Sequence, residues 1–142
     1  MHPYQDQIDR MWGLIKLRIR ALKNEFWIET MDLTYILLEV ELRLLLTSKA
    51  GEAGKPLPPS EIDKADYLKS LADLSLEKKF IDSNLYNEVL SFNTARRKMT
   101  HRLIQGEIEY SQLENVCKDS SDIIYKIQSQ WLPITIGPTE TQ

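Results

Sequence analysis

The sequence predicts an all-α protein, an antiparallel bundle of four to five helices. Three observations carry this. Apolar residues recur at three- and four-residue spacing through every long segment. Apart from Gly13, glycine and proline lie between those segments or at the chain's ends rather than inside them. The helical segments, joined by short links and one proline-rich crossover, leave no segment that reads as a strand. The chain has 142 residues, which predicts one domain over 1–132, followed by a flexible tail over 133–142.

The first helix is expected over about 4–23, with Ile8, Met11, Trp12, Ile15, Ile19 and Leu22 on one stripe. Arg10, Lys16, Arg18, Arg20 and Lys23 are expected to form its solvated basic face. The second helix starts near Phe26 or Thr30 and runs to about Ser48, with Leu33, Ile36, Leu37, Val40, Leu44 and Leu45 inward. Gly51 and Gly54 end it, and Pro56, Pro58 and Pro59 hold the linker over 50–60 open. Ser60-Glu61-Ile62-Asp63 has the pattern of a capping box, so a third helix is expected from there to about Lys79. Asp82 or Ser83 caps a fourth, which Gly106 ends. Ser111-Gln112-Leu113-Glu114 is a second capping-box pattern and opens a fifth, which Pro133 stops.

Composition narrows the function. The net charge is -3, so bulk charge announces no nucleic-acid partner and any such role rests on a local patch. The single cysteine, Cys117, forms no intrachain bridge; it reads as a small buried side chain in a reducing compartment. The most apolar run, over 35–47, is shorter than the roughly 20 residues that span a bilayer, and Glu39, Glu41 and Arg43 interrupt it. With no signal-like N-terminus, a cytoplasmic protein is expected. There is no glycine-rich phosphate loop, no G-x-S-x-G elbow and no repeated Glu-x-x-His, and no cofactor or metal site is expected.

One segment stands apart. Leu90-Ser91-Phe92-Asn93-Thr94-Ala95-Arg96-Arg97-Lys98-Met99-Thr100-His101-Arg102 carries four cations around the only interior histidine, with no acid between Asn93 and Gln105. A histidine among guanidinium groups suits phosphodiester chemistry, one group moving a proton while the others hold transition-state charge. Asn93, Arg97 and His101 follow one another at four-residue spacing and share a helix face, whereas Arg96 lies about 140° from His101. One chain thus converges Arg96 and His101 only loosely, and a two-fold dimer presenting this helix twice would build a basic cleft from both copies. Taken by itself, the same pattern also describes a solvated basic face.

That helix, with the turn before it and the capped helix after it, resembles the signature of HEPN domains (higher eukaryotes and prokaryotes nucleotide-binding). Their motif is Arg, a polar residue, three to five residues and His, the places held here by Arg96, Arg97 and His101. The likeness spans about 61–128. It implies an all-α fold and, in many members, a metal-independent endoribonuclease acting as a toxin or defence effector. It implies a homodimer, RNA as substrate and an antitoxin partner such as a nucleotidyltransferase. His101 would be the acid/base residue and Arg96 would hold phosphorane charge. Arg97, Lys98, Arg102 and Asn93 would line the phosphate path. Arg97 stands where asparagine is most often found, and Leu103 where one toxin subgroup has tyrosine. Other members are non-catalytic binding or dimerisation modules, which is the alternative expectation. The exposed faces of the first and fourth helices are the expected dimer interface.

Overall fold

The computed structural model describes residues 4–65 and 67–132. Among them are seven α-helices and no strand: α1 (Gln5–Lys23), α2 (Trp27–Glu52), α3 (Pro59–Lys64), α4 (Leu68–Glu77), α5 (Ser83–Ile104), α6 (Glu114–Asp119) and α7 (Ser121–Gln128). A 3₁₀ turn, Tyr110–Leu113, precedes α6. The bundle expected from the periodicity is present. The tail expected over 133–142, with its Pro133 stop, lies outside the described residues.

The most apolar run became the central element. α2 has 26 residues, a length of about 39 Å, and packs against α1, α4, α5, α6 and α7. A helix with neighbours on several sides must be apolar on several sides, and Leu37, Leu38, Leu42, Leu45 and Leu46 are wholly buried. α1 returns along it through a tight turn in which Glu25, a non-glycine residue, takes φ 59. The N–H of Phe26 closes that turn on the Ala21 carbonyl at 2.9 Å.

At both ends of α5 the local signals held. Asp82 caps α5, its Oδ1 accepting from the Leu85 N–H at 2.8 Å. Gly106 at φ 73 closes the other end, its N–H on the Leu103 carbonyl and that of Glu107 on Arg102. α4 and α5 are joined by Tyr86, whose hydroxyl donates to Asp73 Oδ1 at 2.5 Å while Lys69 pairs with Oδ2 at 2.9 Å.

Four expectations need correction. α2 does not end at Ser48 but runs through Gly51, and Gly54 at φ 73 makes the turn. The Ser60 box does not form: α3 starts at Pro59, with Pro58 as its extended N-cap. A proline at the first helical position has its φ preset and no N–H to satisfy, so the serine falls inside the helix. The third helix then breaks, because Ala65 (ψ 71) and Tyr67 (ψ 167) leave the helical region before α4. The second box forms earlier than expected: Glu109 is the N-cap and its N–H donates to Gln112 Oε1 at 2.7 Å.

The fifth helix is also divided, at Ser120, and the cause lies on α1. Arg18, expected on the solvated basic face, is 2% exposed. Its Nε donates to Thr34 Oγ1 at 2.7 Å, and its Nη2 donates to the Cys117 carbonyl at 2.8 Å and to the hydroxyls of Ser120 (3.3 Å) and Ser121 (3.0 Å). Ser120 Oγ donates to the same Cys117 carbonyl at 2.9 Å. Side chains that enter a helix's hydrogen-bond ladder bend or break it, and here they separate α6 from α7. Burial pushes the Arg18 pKa down, with Tyr125 and Cys117 opposing it.

Candidate functional site: the C-terminal half of α5

A small second core holds this half of α5 in place. Trp27 and Met31 of α2 meet Leu113 and Cys117, and Met99 and Leu103 of α5 pack onto them. Met99 and Leu103 are four residues apart, so they fix which side of α5 faces inward. Cys117 is fully buried, its thiol donating to the Trp27 carbonyl at 3.2 Å, and burial pushes its pKa up to about 11. It is a packing residue with an unreactive thiol.

This orientation divides the expected site residues into two sets. Arg96 is turned toward α2. Its guanidinium lies 4.2 Å from the centre of the Tyr35 ring, a cation–π stack, and its Nη2 donates to Asn93 Oδ1 at 3.3 Å. Its Nε is buried and makes no hydrogen bond. Asn93 is itself buried, at 8% exposure. Arg97, Lys98, His101 and Arg102 are exposed and face outward. The structure therefore brings Arg97 and His101 onto one exposed face and does not bring Arg96 and His101 together.

His101 and Arg102 stand in the last turn of α5, the end at which the helix dipole leaves partial negative charge. Around them Arg97 and Lys98 add two further exposed cations. Ile104, three residues past His101, is 79% exposed, the most open large apolar side chain among the described residues. A phosphate at this face would meet exposed cationic donors, with an imidazole among them and an apolar residue at the edge.

Sequence reasoning missed three residues. Tyr35 lies within the apolar run over 35–47 and carries no motif of its own. Arg18 and Glu41 are polar positions by type, yet both sit in register with buried neighbours: Arg18 with Met11 and Ile15, Glu41 with Leu37, Leu38 and Leu45. That register was the available signal. Glu41 is fully buried between α2 and α7, where its Oε1 accepts from Gln128 Nε2 at 2.9 Å and its Oε2 has no hydrogen-bond partner. Burial pushes its carboxyl well above the usual range, the Gln128 donor acting the other way.

Among the described residues no helix is long and apolar enough to cross a membrane. No family model, curated protein or solved structure matches the chain, so the site stands on its own geometry.

Proposed function

We propose that the outward face of the C-terminal half of α5 binds the phosphodiester backbone of RNA, and that a homodimer of HEPN type cleaves it without a metal. The observation that carries this is the exposed, acid-free set of Arg97, Lys98 and Arg102 around an exposed His101. His101 takes the proton from a ribose 2′-hydroxyl as its oxygen attacks the adjacent phosphorus. Arg97, on the same face, stabilises the added negative charge of the phosphorane. The 5′-oxygen leaves with a proton from the second copy's histidine, giving a 2′,3′-cyclic phosphate and a 5′-hydroxyl. Arg96, stacked on Tyr35, fixes the inner edge of the cleft. The need for two proton carriers and the exposed Ile104 beside His101 both support a paired arrangement. A nuclease of this kind acts on cytoplasmic RNA, and its partner is an antitoxin that covers the same face, such as a nucleotidyltransferase.

A second reading has its own observation. Arg96 is held by Tyr35 and Asn93 within the bundle, which suits a non-catalytic helical interaction module whose arginine serves packing. One experiment separates the two. Wild type and His101→Ala are incubated with RNA in EDTA, which silences contaminating metal-dependent nucleases. Cleavage by wild type alone, with cyclic phosphate ends, supports the nuclease. Equal cleavage by both removes His101 from the reaction. No cleavage by a folded, dimeric wild type, with RNA binding abolished in Arg97→Glu, leaves the binding module.

A further inference from the structure

A separate concavity of about 350 Å³ lies where α1, α2 and α3 meet, away from α5. It exists because the chain between α2 and α3 is not helical. The crossover, with Pro56 and Pro58, lays only Leu57 against the bundle at this point. Val40 and Leu44 of α2 and Ile62 of α3 give the pocket an apolar floor, and Leu57 closes one wall. Two cations stand on its rim, Arg10 of α1 and Arg43 of α2.

Among the described residues neither cation is firmly engaged. Arg43 Nη1 is 3.9 Å from Asp63 Oδ1, a carboxylate whose side chain is 78% exposed, and its Nη2 reaches the Ala65 carbonyl at 3.3 Å. Arg10 Nε reaches the Asp6 carbonyl at 3.4 Å. All three contacts are at the long limit for such bonds. A guanidinium offers five N–H donors in a planar fork that fits a carboxylate with two parallel bonds. An exposed aspartate 3.9 Å away supplies no such geometry, and surface pairs of this kind are worth little.

We infer that this pocket binds a small apolar anion, a carboxylate carried on a hydrocarbon chain or ring. The body lies on Leu44, Ile62 and Leu57, and the carboxylate displaces Asp63 from Arg43, with Arg10 as the second cation. The volume, at about 30 Å³ for each small packed group, holds a body of about a dozen non-hydrogen atoms. It lies at the lower end of the range for small-molecule sites. Decanoate has this size and chemistry and serves as the probe.

Calorimetric titration of the full chain with decanoate, beside decanol as the uncharged control, tests the site. Decanoate is expected to saturate one site and to bind about tenfold tighter than decanol, the gain of one charge-assisted contact. Arg43→Gln brings decanoate down to the affinity of decanol. Asp63→Asn, an exposed change that leaves the core untouched, removes the competing carboxylate and tightens decanoate without changing decanol. Failure of decanoate to bind at millimolar concentration overturns the site. So does equal affinity for acid and alcohol, or an affinity for decanoate that Asp63→Asn leaves unchanged or weakens.

Discussion

Replacing Glu41 with glutamine should stabilise the protein in a way that depends on pH. The carboxyl is fully buried, with one oxygen bonded to Gln128 and the other unpartnered. Burial raises its pKa well above the usual range in the folded state. Below the ordinary carboxylate range both folded and unfolded chains hold the proton, and Glu41 imposes no penalty. As pH rises through that range the unfolded chain releases its proton while the folded one keeps it. Stability then falls by about 1.4 kcal/mol per pH unit until the folded pKa is reached. Glutamine is nearly isosteric with the neutral acid, keeps its carbonyl oxygen for Gln128 and never ionises. Wild type and Glu41→Gln should therefore match near pH 4 and separate steadily above it, the variant being the more stable. Urea unfolding followed by circular dichroism from pH 4 to pH 7 reads this directly. With an m-value of about 2 kcal/mol per molar, each pH unit separates the midpoints by about 0.7 M. Two curves that run parallel across that range would refute the burial of a neutral carboxyl.

Two further substitutions test the packing. Arg18→Ala should cost about 3–5 kcal/mol, since it empties a buried site and removes a guanidinium that ties α1 to α2, α6 and α7. Arg18→Met should cost only about 1 kcal/mol, because methionine fills the space without a charge to desolvate and leaves Thr34 bonded to the Thr30 carbonyl and Ser120 to that of Cys117. Thermal melts of the two variants distinguish them, and equal losses would make the charge itself the stabilising element. Asp82→Ala should cost about 1 kcal/mol by uncapping α5, while Asp82→Asn keeps an acceptor for Leu85 and most of that stability, as a urea titration would show.

What could be read from the sequence was local. The Asp82 cap and the Gly106 stop each depend on residues within a turn of one another, and they stand where the pattern put them. The Ser60 box failed to a competitor one residue away, because Pro59 claimed the first helical position. The division of the last helix was not readable at all. It is made by Arg18, a residue of the first helix that meets Cys117 and Ser120 only after the chain has folded. The same limit hid Glu41. An ionisable residue in an apolar register announces either a break in the stripe or a buried polar group with a partner. The partner, Gln128, lies at the far end of the chain.

The Arg-x4-His spacing shows the same limit at the site. Five positions along a helix turn the side chain through about 500°, which leaves Arg96 and His101 about 140° apart. One of the two must face inward if the other is open to solvent. The small core of Trp27, Met31, Met99 and Leu103 decides which, and Tyr35 then receives the guanidinium that is turned in. Arg97 and His101, four apart, are left as the pair that reaches a ligand from one chain. A reaction that needs Arg96 as well must draw the ligand over the edge of α5 toward Tyr35, or take the missing group from a second copy. Substituting Tyr35 with leucine separates these routes: a ligand drawn toward the stack loses affinity, and one held by Arg97 and His101 does not.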